Sequence, residues 1–326
     1  MTTSPHARPP VQVATRTLVE ALVREDHTVD TAELYATAPL LGMSDQQVRL
    51  CVKRLVAEGR FTHEGRGRKA VLRAAGDTER ALEPDVGFVA HAFRQDAGLA
   101  PWDGRWRLVA FAVPETSRAA RDALRTGLGR LGGAPLQGGL YVGANAWEPH
   151  VEDLARSLGL LDRLTLLTTG ELRRGGESDP AALARALWPL AEIAERHDRL
   201  AAVARPRLER LRSGAEIPGP ELLTVAVELA AEFTRAMEPD PLLPPELLPS
   251  PWPGARARAL VAECWTLLRR RDESRDPGRH GPRLFRLYDS VLPETAPEPD
   301  PDPGSRTGSR TDPDPDPEPE PGHETG

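Results

Sequence analysis

The chain has 326 residues, 28% of them charged, and its 42 Lys or Arg against 49 Asp or Glu leave a net charge of −7 at pH 7. No run of about 18 or more residues is continuously apolar, so no segment reads as a membrane-spanning helix, and MTTSPHARPP lacks the apolar core of a secretion signal. Two distant cysteines, Cys51 and Cys264, read as reduced thiols in a cytoplasmic protein, and three Tyr with six Phe are too few for a platform that stacks single-stranded nucleic acid.

In chain order, three helical patterns come first: VATRTLVEALV, TAELYATAPLL and, after a Gly-Met break, SDQQVRLCVKRLVAEG. Ser44 followed by Gln47 is a capping box, in which the two side chains satisfy orphan backbone donors reciprocally. Gly59 supplies a stop. On the third helix Val48, Cys51, Val52 and Leu55 recur at i, i+3, i+4 and i+7 and share a buried face. Gln46, Arg49 and Lys53 then point the opposite way, with Arg54 at the edge.

The next stretch, RFTHEGRGRKAVLR, reads as a short hairpin with Phe61 and Val71 in its strands and Gly65 and Gly67 in its turn. Arg66, Arg68 and Lys69 fall at the tip or just beyond it. From residue 44 to 69 there are seven basic and three acidic residues in a chain that is acidic as a whole. Three helices and a basic wing describe a winged helix-turn-helix over residues 11–80. Its third helix suits a major groove, and the wing cations suit phosphates or the minor groove. A solvated helix face beside an ordinary charged loop is the plain alternative. Cap, buried stripe, opposed cations and the Gly-Arg-Gly-Arg-Lys run together favour DNA.

Residues 100–175 read as an α+β unit. RWRLVAFAVP is an apolar strand, and Thr116 or Ser117 can cap a helix carrying Ala120, Leu124, Leu128 and Leu131. Short extended pieces follow at 135–136 and 139–142, then a helix with Val151, Leu154, Ala155 and Leu158, and RLTLLTT as a last strand. The order βαββαβ is that of a ferredoxin-like sandwich. Gly127, Gly129 and Gly132 spell G-x-G-x-x-G, but at the end of a helix rather than between strand and helix, which argues against a dinucleotide site.

From residue 176 to 290 the pattern is helical, with a Pro-rich connection from Pro239 to Pro253 that should be stiff and extended. Trp188, Trp252 and Trp265 suit core positions, or else the lining of a pocket for an aromatic acyl group. His150, His197 and His280 have no partner at metal-ligand or triad spacing. The last stretch, residues 291–326, alternates Pro with carboxylates and holds ten acidic residues against two Arg. It should be a disordered, polyproline-like tail, and without it the remaining 290 residues are close to neutral and long enough for two or three domains.

Two segments carry a resemblance. WDGRWRLVAFAVPETSRAARDALRTGLGRLGGAPLQGGLYVG, residues 102–143, is similar to the central region of the PaaX family of bacterial transcriptional repressors, and DPLLPPELLPSPWPGARARAL, residues 240–260, resembles that family's C-terminal signature. The resemblance implies a multidomain α+β protein: the winged helix, a Cas2-like centre and a helical C-terminal domain. It also implies a homodimer on promoter DNA, released by an acyl-CoA such as phenylacetyl-CoA, that governs genes of aromatic acid breakdown. Cas2-like folds can carry a metal-binding Asp late in the first strand, where this chain has Ala112. Glu115 alone is a thin basis for a divalent cation, so no catalytic residue, metal or cofactor is expected. The rival readings are a metal-dependent nuclease, a pure interaction protein, and a regulator with an unrelated effector. The wing end KAVLRAAG is poorer in aromatics than the family pattern, and the acidic tail is additional.

Overall fold

The computed structural model describes residues 11–64, 71–75, 86–275 and 281–290. Helix α1, Thr15–Ala21, leads into a short strand β1, Thr28–Asp30. Asp30 caps helix α2, Thr31–Thr37, its carboxylate accepting from the Ala32 and Glu33 amides at 2.8 and 3.3 Å. A 3₁₀ turn at Ala38–Leu41 connects to helix α3, Asp45–Ala57. Strands β2, Phe61–Glu64, and β3, Val71–Ala74, pair antiparallel, and β1 adds to the other side of β3. The turn glycines Gly65 and Gly67 lie outside the described residues, as do residues 291–326 and His280.

Helix α4, Val86–Asp96, precedes the second sheet. Strand β4, Trp106–Phe111, helix α5, Arg118–Arg130, strands β5, Ala134–Gln137, and β6, Leu140–Gly143, helix α6, Glu148–Ser157, and strand β7, Leu164–Thr169, follow in the expected βαββαβ order. The sheet runs β5-β6-β4-β7, antiparallel throughout, which is the ferredoxin-like arrangement. Strand alternation gives the sheet two apolar faces. Val109 packs with Leu124, Leu128 and Val151 of the two covering helices, while Trp106 and Leu108 pack with Val142, Leu183 and Trp188.

One local detail differs from the sequence reading, and a second agrees with it. Ser117 does sit at the N-cap of α5, but its side chain caps nothing, and a 3₁₀ turn at Glu115–Ser117 leads into the helix instead. The G-x-G-x-x-G run is a helix end: Gly127 and Gly129 are inside α5, and Gly132 follows it with φ +85°. Pro241 lies so close that a Cβ at Gly132 would stand 2.7 Å from its carbonyl oxygen.

The C-terminal part is helical: α7, Pro180–Leu187, α8, Leu190–Arg212, α9, Gly219–Met237, and α10, Pro253–Arg275. Along α9 nearly every side is buried, including Leu222, Leu223, Val225, Val227, Leu229 and Phe233, so it needs partners all round. It shares one continuous core with Leu200 and Trp265 of α8 and α10, and with Leu18, Leu34, Val48, Phe61 and Leu72 from the N-terminal elements. The Arg283 amide donates to the Val23 carbonyl at 3.0 Å, and Arg286 pairs with Glu25 at 3.2 Å. Buried charge is matched. Arg258 makes two 2.6 Å bonds to Asp96 and lies 3.6 Å from Asp240, which bonds His197 at 2.7 Å. No helix among the described residues is long and apolar enough to cross a membrane.

Candidate nucleic-acid interface

The start of α3 is fixed by its cap. The Gln47 amide donates to Ser44 Oγ at 3.3 Å and the Ser44 amide to Gln47 Oε1 at 2.8 Å, the expected capping box. Gln47 is thereby occupied, and Gln46 is the glutamine left facing outward. Val48 and Leu55 are buried and Cys51 and Val52 half-buried, so the stripe read from spacing is the face turned to the core. Gln46, Arg49, Lys53 and Arg54 are all exposed on the remaining surface.

Electrostatics sharpen this face. Two of the acidic residues that interrupt the basic segment are paired with arginines from other elements. Glu58 lies 3.3 Å from Arg16 of α1, and Glu64 accepts from Arg73 at 3.0 Å. Asp45 sits 3.8 Å from Arg49 as a loose, exposed i,i+4 pair, which holds little energy in water. The result is a ridge whose outward side is cationic and amide-bearing.

Leu50 is on the same ridge, 58% exposed, and Leu40 on the preceding 3₁₀ turn is 55% exposed. The sequence signal for Leu50 was available, since it falls two residues off the Val48 position and outside the i, i+3, i+4 set. Arg66, Arg68 and Lys69 lie outside the described residues. The strands that lead toward them, β2 and β3, are paired from Phe61 opposite Ala74 to Glu64 opposite Val71.

The other singled-out residues separate. Trp188 and Trp252 do line one cavity of about 400 Å³ with Pro249 and Pro251, whereas Trp265 is elsewhere, edge-on to Phe233 and Tyr288. Trp188 also stacks on Trp106 and donates its indole N–H to the Gly132 carbonyl at 3.0 Å. His197 is a core histidine whose Nε2 bonds Asp240 while its buried Nδ1 has no hydrogen-bond partner among the described residues, and His150 is exposed. Ala112 directly follows the last residue of β4, and Glu115 is engaged by Arg121 at 2.7 Å. Among the described residues no group of three or more His, Cys, Asp or Glu is placed to hold a metal ion. Both cysteines are free thiols; burial pushes the Cys51 thiol up, and Cys264 up to about 12.

Comparison with known proteins gives two family matches. Residues 99–184 match the model of the PaaX protein central Cas2-like domain, and residues 188–274 that of the PaaX-like protein C-terminal domain. No curated protein matches the chain. Among solved structures, it is similar to the uncharacterized protein Rv0674 from Mycobacterium tuberculosis, 23% identical over 75% of this chain and 91% of that one, with a TM-score of 0.46.

Proposed function

The chain belongs to the PaaX family of transcription regulators, and from that premise we propose that residues 11–80 form a winged helix-turn-helix that docks on promoter DNA. The observation that carries this reading is the outward face of α3, where Gln46, Arg49, Lys53 and Arg54 are exposed while Glu58 and Glu64 are held by other arginines. Arg49 and Lys53 reach base edges, with Gln46 and Arg54 beside them. Arg66, Arg68 and Lys69 of the wing neutralise phosphates. The protein acts in the cytoplasm as a homodimeric repressor, and half-sites fall about one helical turn, or a multiple of it, apart. It is no enzyme: the position of a Cas2-type metal ligand is Ala112, and Glu115 is committed to Arg121. An acyl-CoA such as phenylacetyl-CoA releases it, and its targets are genes of aromatic acid breakdown; both follow from the family alone.

The test is a salt-dependent binding titration on the DNA upstream of its own gene. Arg49→Ala and Lys53→Ala are each expected to lose about 1–3 kcal/mol and to relax sequence preference, whereas wing substitutions weaken all DNA alike. Unchanged affinity and preference in both α3 variants sinks the docking model. Adding phenylacetyl-CoA, free CoA or phenylacetate to the complex tests the effector separately. No response to any acyl-CoA leaves a regulator whose effector is something else.

A further inference from the structure

A second site lies away from α3. Helix α4, the end of α5, the loop before α6 and the segment around Pro241 enclose a cavity of about 490 Å³, a volume suited to a small organic ligand. Phe88, Leu131, Trp147 and Leu242 give it apolar walls, while Arg94 and Arg130 bring two guanidinium groups to it and His91 and His150 two imidazoles. None of its lining residues is acidic. Among the described residues no carboxylate pairs with either arginine, although arginines elsewhere in the fold, such as Arg107, Arg121, Arg207 and Arg258, are matched.

Two further features belong to a built site rather than a surface dimple. Trp147 is buried, and its indole N–H has no acceptor among the described residues. Leu242 is held in the left-handed region at φ 49°, a conformation a leucine adopts only when its surroundings impose it. Those surroundings are identifiable. Its amide donates to Asp240 at 2.9 Å, and its carbonyl accepts from Gln95 and Asn145 at 2.8 Å each. The wall is therefore fixed before any ligand arrives, which lowers the ordering cost of binding.

The geometry points to a binding site for a small organic carboxylate, an aryl or short alkyl body against Phe88, Leu131, Trp147 and Leu242 with its carboxylate between Arg94 and Arg130. Guanidinium–carboxylate hydrogen bonds are strong and directional, and the apolar walls reject a bare inorganic anion in favour of one that carries hydrocarbon. The cavity with Trp188 and Trp252 is the weaker candidate, because Arg185 is its one cation. The site rests on the cavity and not on the DNA reading, so either can fail without the other.

Calorimetric titration of the full-length chain with phenylacetate, 3-phenylpropionate and hexanoate, and with uncharged phenylacetamide, decides it. Saturable binding of at least one carboxylate is expected, with phenylacetamide weaker by about tenfold or more. The double variant Arg94→Gln/Arg130→Gln should lose about tenfold or more in affinity for that carboxylate. Both side chains are exposed, so its thermal midpoint should match that of the parent. Inorganic phosphate should bind more weakly than the carboxylates. Absence of saturable binding by all three acids overturns the proposal, and so does equal binding of the amide or unchanged affinity in the double variant.

Discussion

Gly129 and Gly132 are three residues apart in one glycine run, yet the same substitution should move stability in opposite directions. A Cβ at Gly129 meets nothing within 4 Å on a helical backbone, so Gly129→Ala should add up to about 1 kcal/mol. At Gly132 the positive φ alone costs an alanine about 1–2 kcal/mol, and the Pro241 carbonyl must also give way. Urea unfolding of the two variants should therefore straddle the parent; two shifts of the same sign would contradict the local geometry. Alkali gives a second residue-scale expectation. Burial pushes the thiol of Cys264 from an ordinary 9.0 to about 12 and the phenol of Tyr288 from 10.0 to about 12. The folded chain keeps protons that the unfolded chain releases, so this stability is whole below about pH 9. It falls as pH rises toward 12, by roughly 1.4 kcal/mol per unit for each group titrating only in the unfolded state. Cys264→Ala should flatten that decline while lowering stability near neutral pH through a small cavity, and parallel pH profiles for variant and parent would refute it. The sequence separated Trp265 from Trp188 poorly, because helical spacing reports burial but not which core a side chain enters.

At the scale of elements, α3 was legible almost entirely, since its cap, stripe and stop are written within sixteen residues. Ser44→Ala should cost about 1 kcal/mol by freeing the Gln47 amide, measurable as a lower urea midpoint. Leu50→Ala belongs to the same helix but should act differently. Its side chain is largely exposed, so stability should stay within about 0.5 kcal/mol. If the ridge enters a major groove, Leu50 meets the methyl group of thymine, and the variant should lose affinity for sites with thymine at one position but not for those with uracil there. Strand β1 was missed because three residues cannot display alternation and Val29 alone is buried. Helix α4 was unassigned because Val86, Phe88, Val89 and Phe93 form helix only weakly by themselves. What fixes α4 comes from far along the chain: Arg258 on Asp96, and the Leu242 carbonyl on Gln95.

For the whole molecule, the ferredoxin-like centre and the helical C-terminal part followed from strand–helix alternation and from the resemblance. The shared core did not, because a sequence shows which faces are apolar and not what covers them. One signal was present. LLTVAVELAAEF in α9 is apolar apart from one stripe of Thr224, Glu228 and Glu232, so its other sides all need neighbours. The N-terminal elements are one of those neighbours, joined also through Arg283 to Val23 and Arg235 to the Gln12 carbonyl. A fragment of residues 1–85 should therefore show no cooperative unfolding transition, whereas residues 11–290 should unfold cooperatively. A fragment that melts sharply on its own would show that the N-terminal elements need no cover from α9.

That shared core also sets an order of events during synthesis. About 150 residues separate Leu72 from Leu222, and at about 5–20 residues per second the ribosome needs roughly 8–30 s to make them. Through that interval the N-terminal helices have emerged without the partner that seals them. A nascent or prematurely terminated chain is thus unable to assemble the α3 ridge in its final setting. On the DNA reading, a chain that stops before α9 cannot occupy an operator.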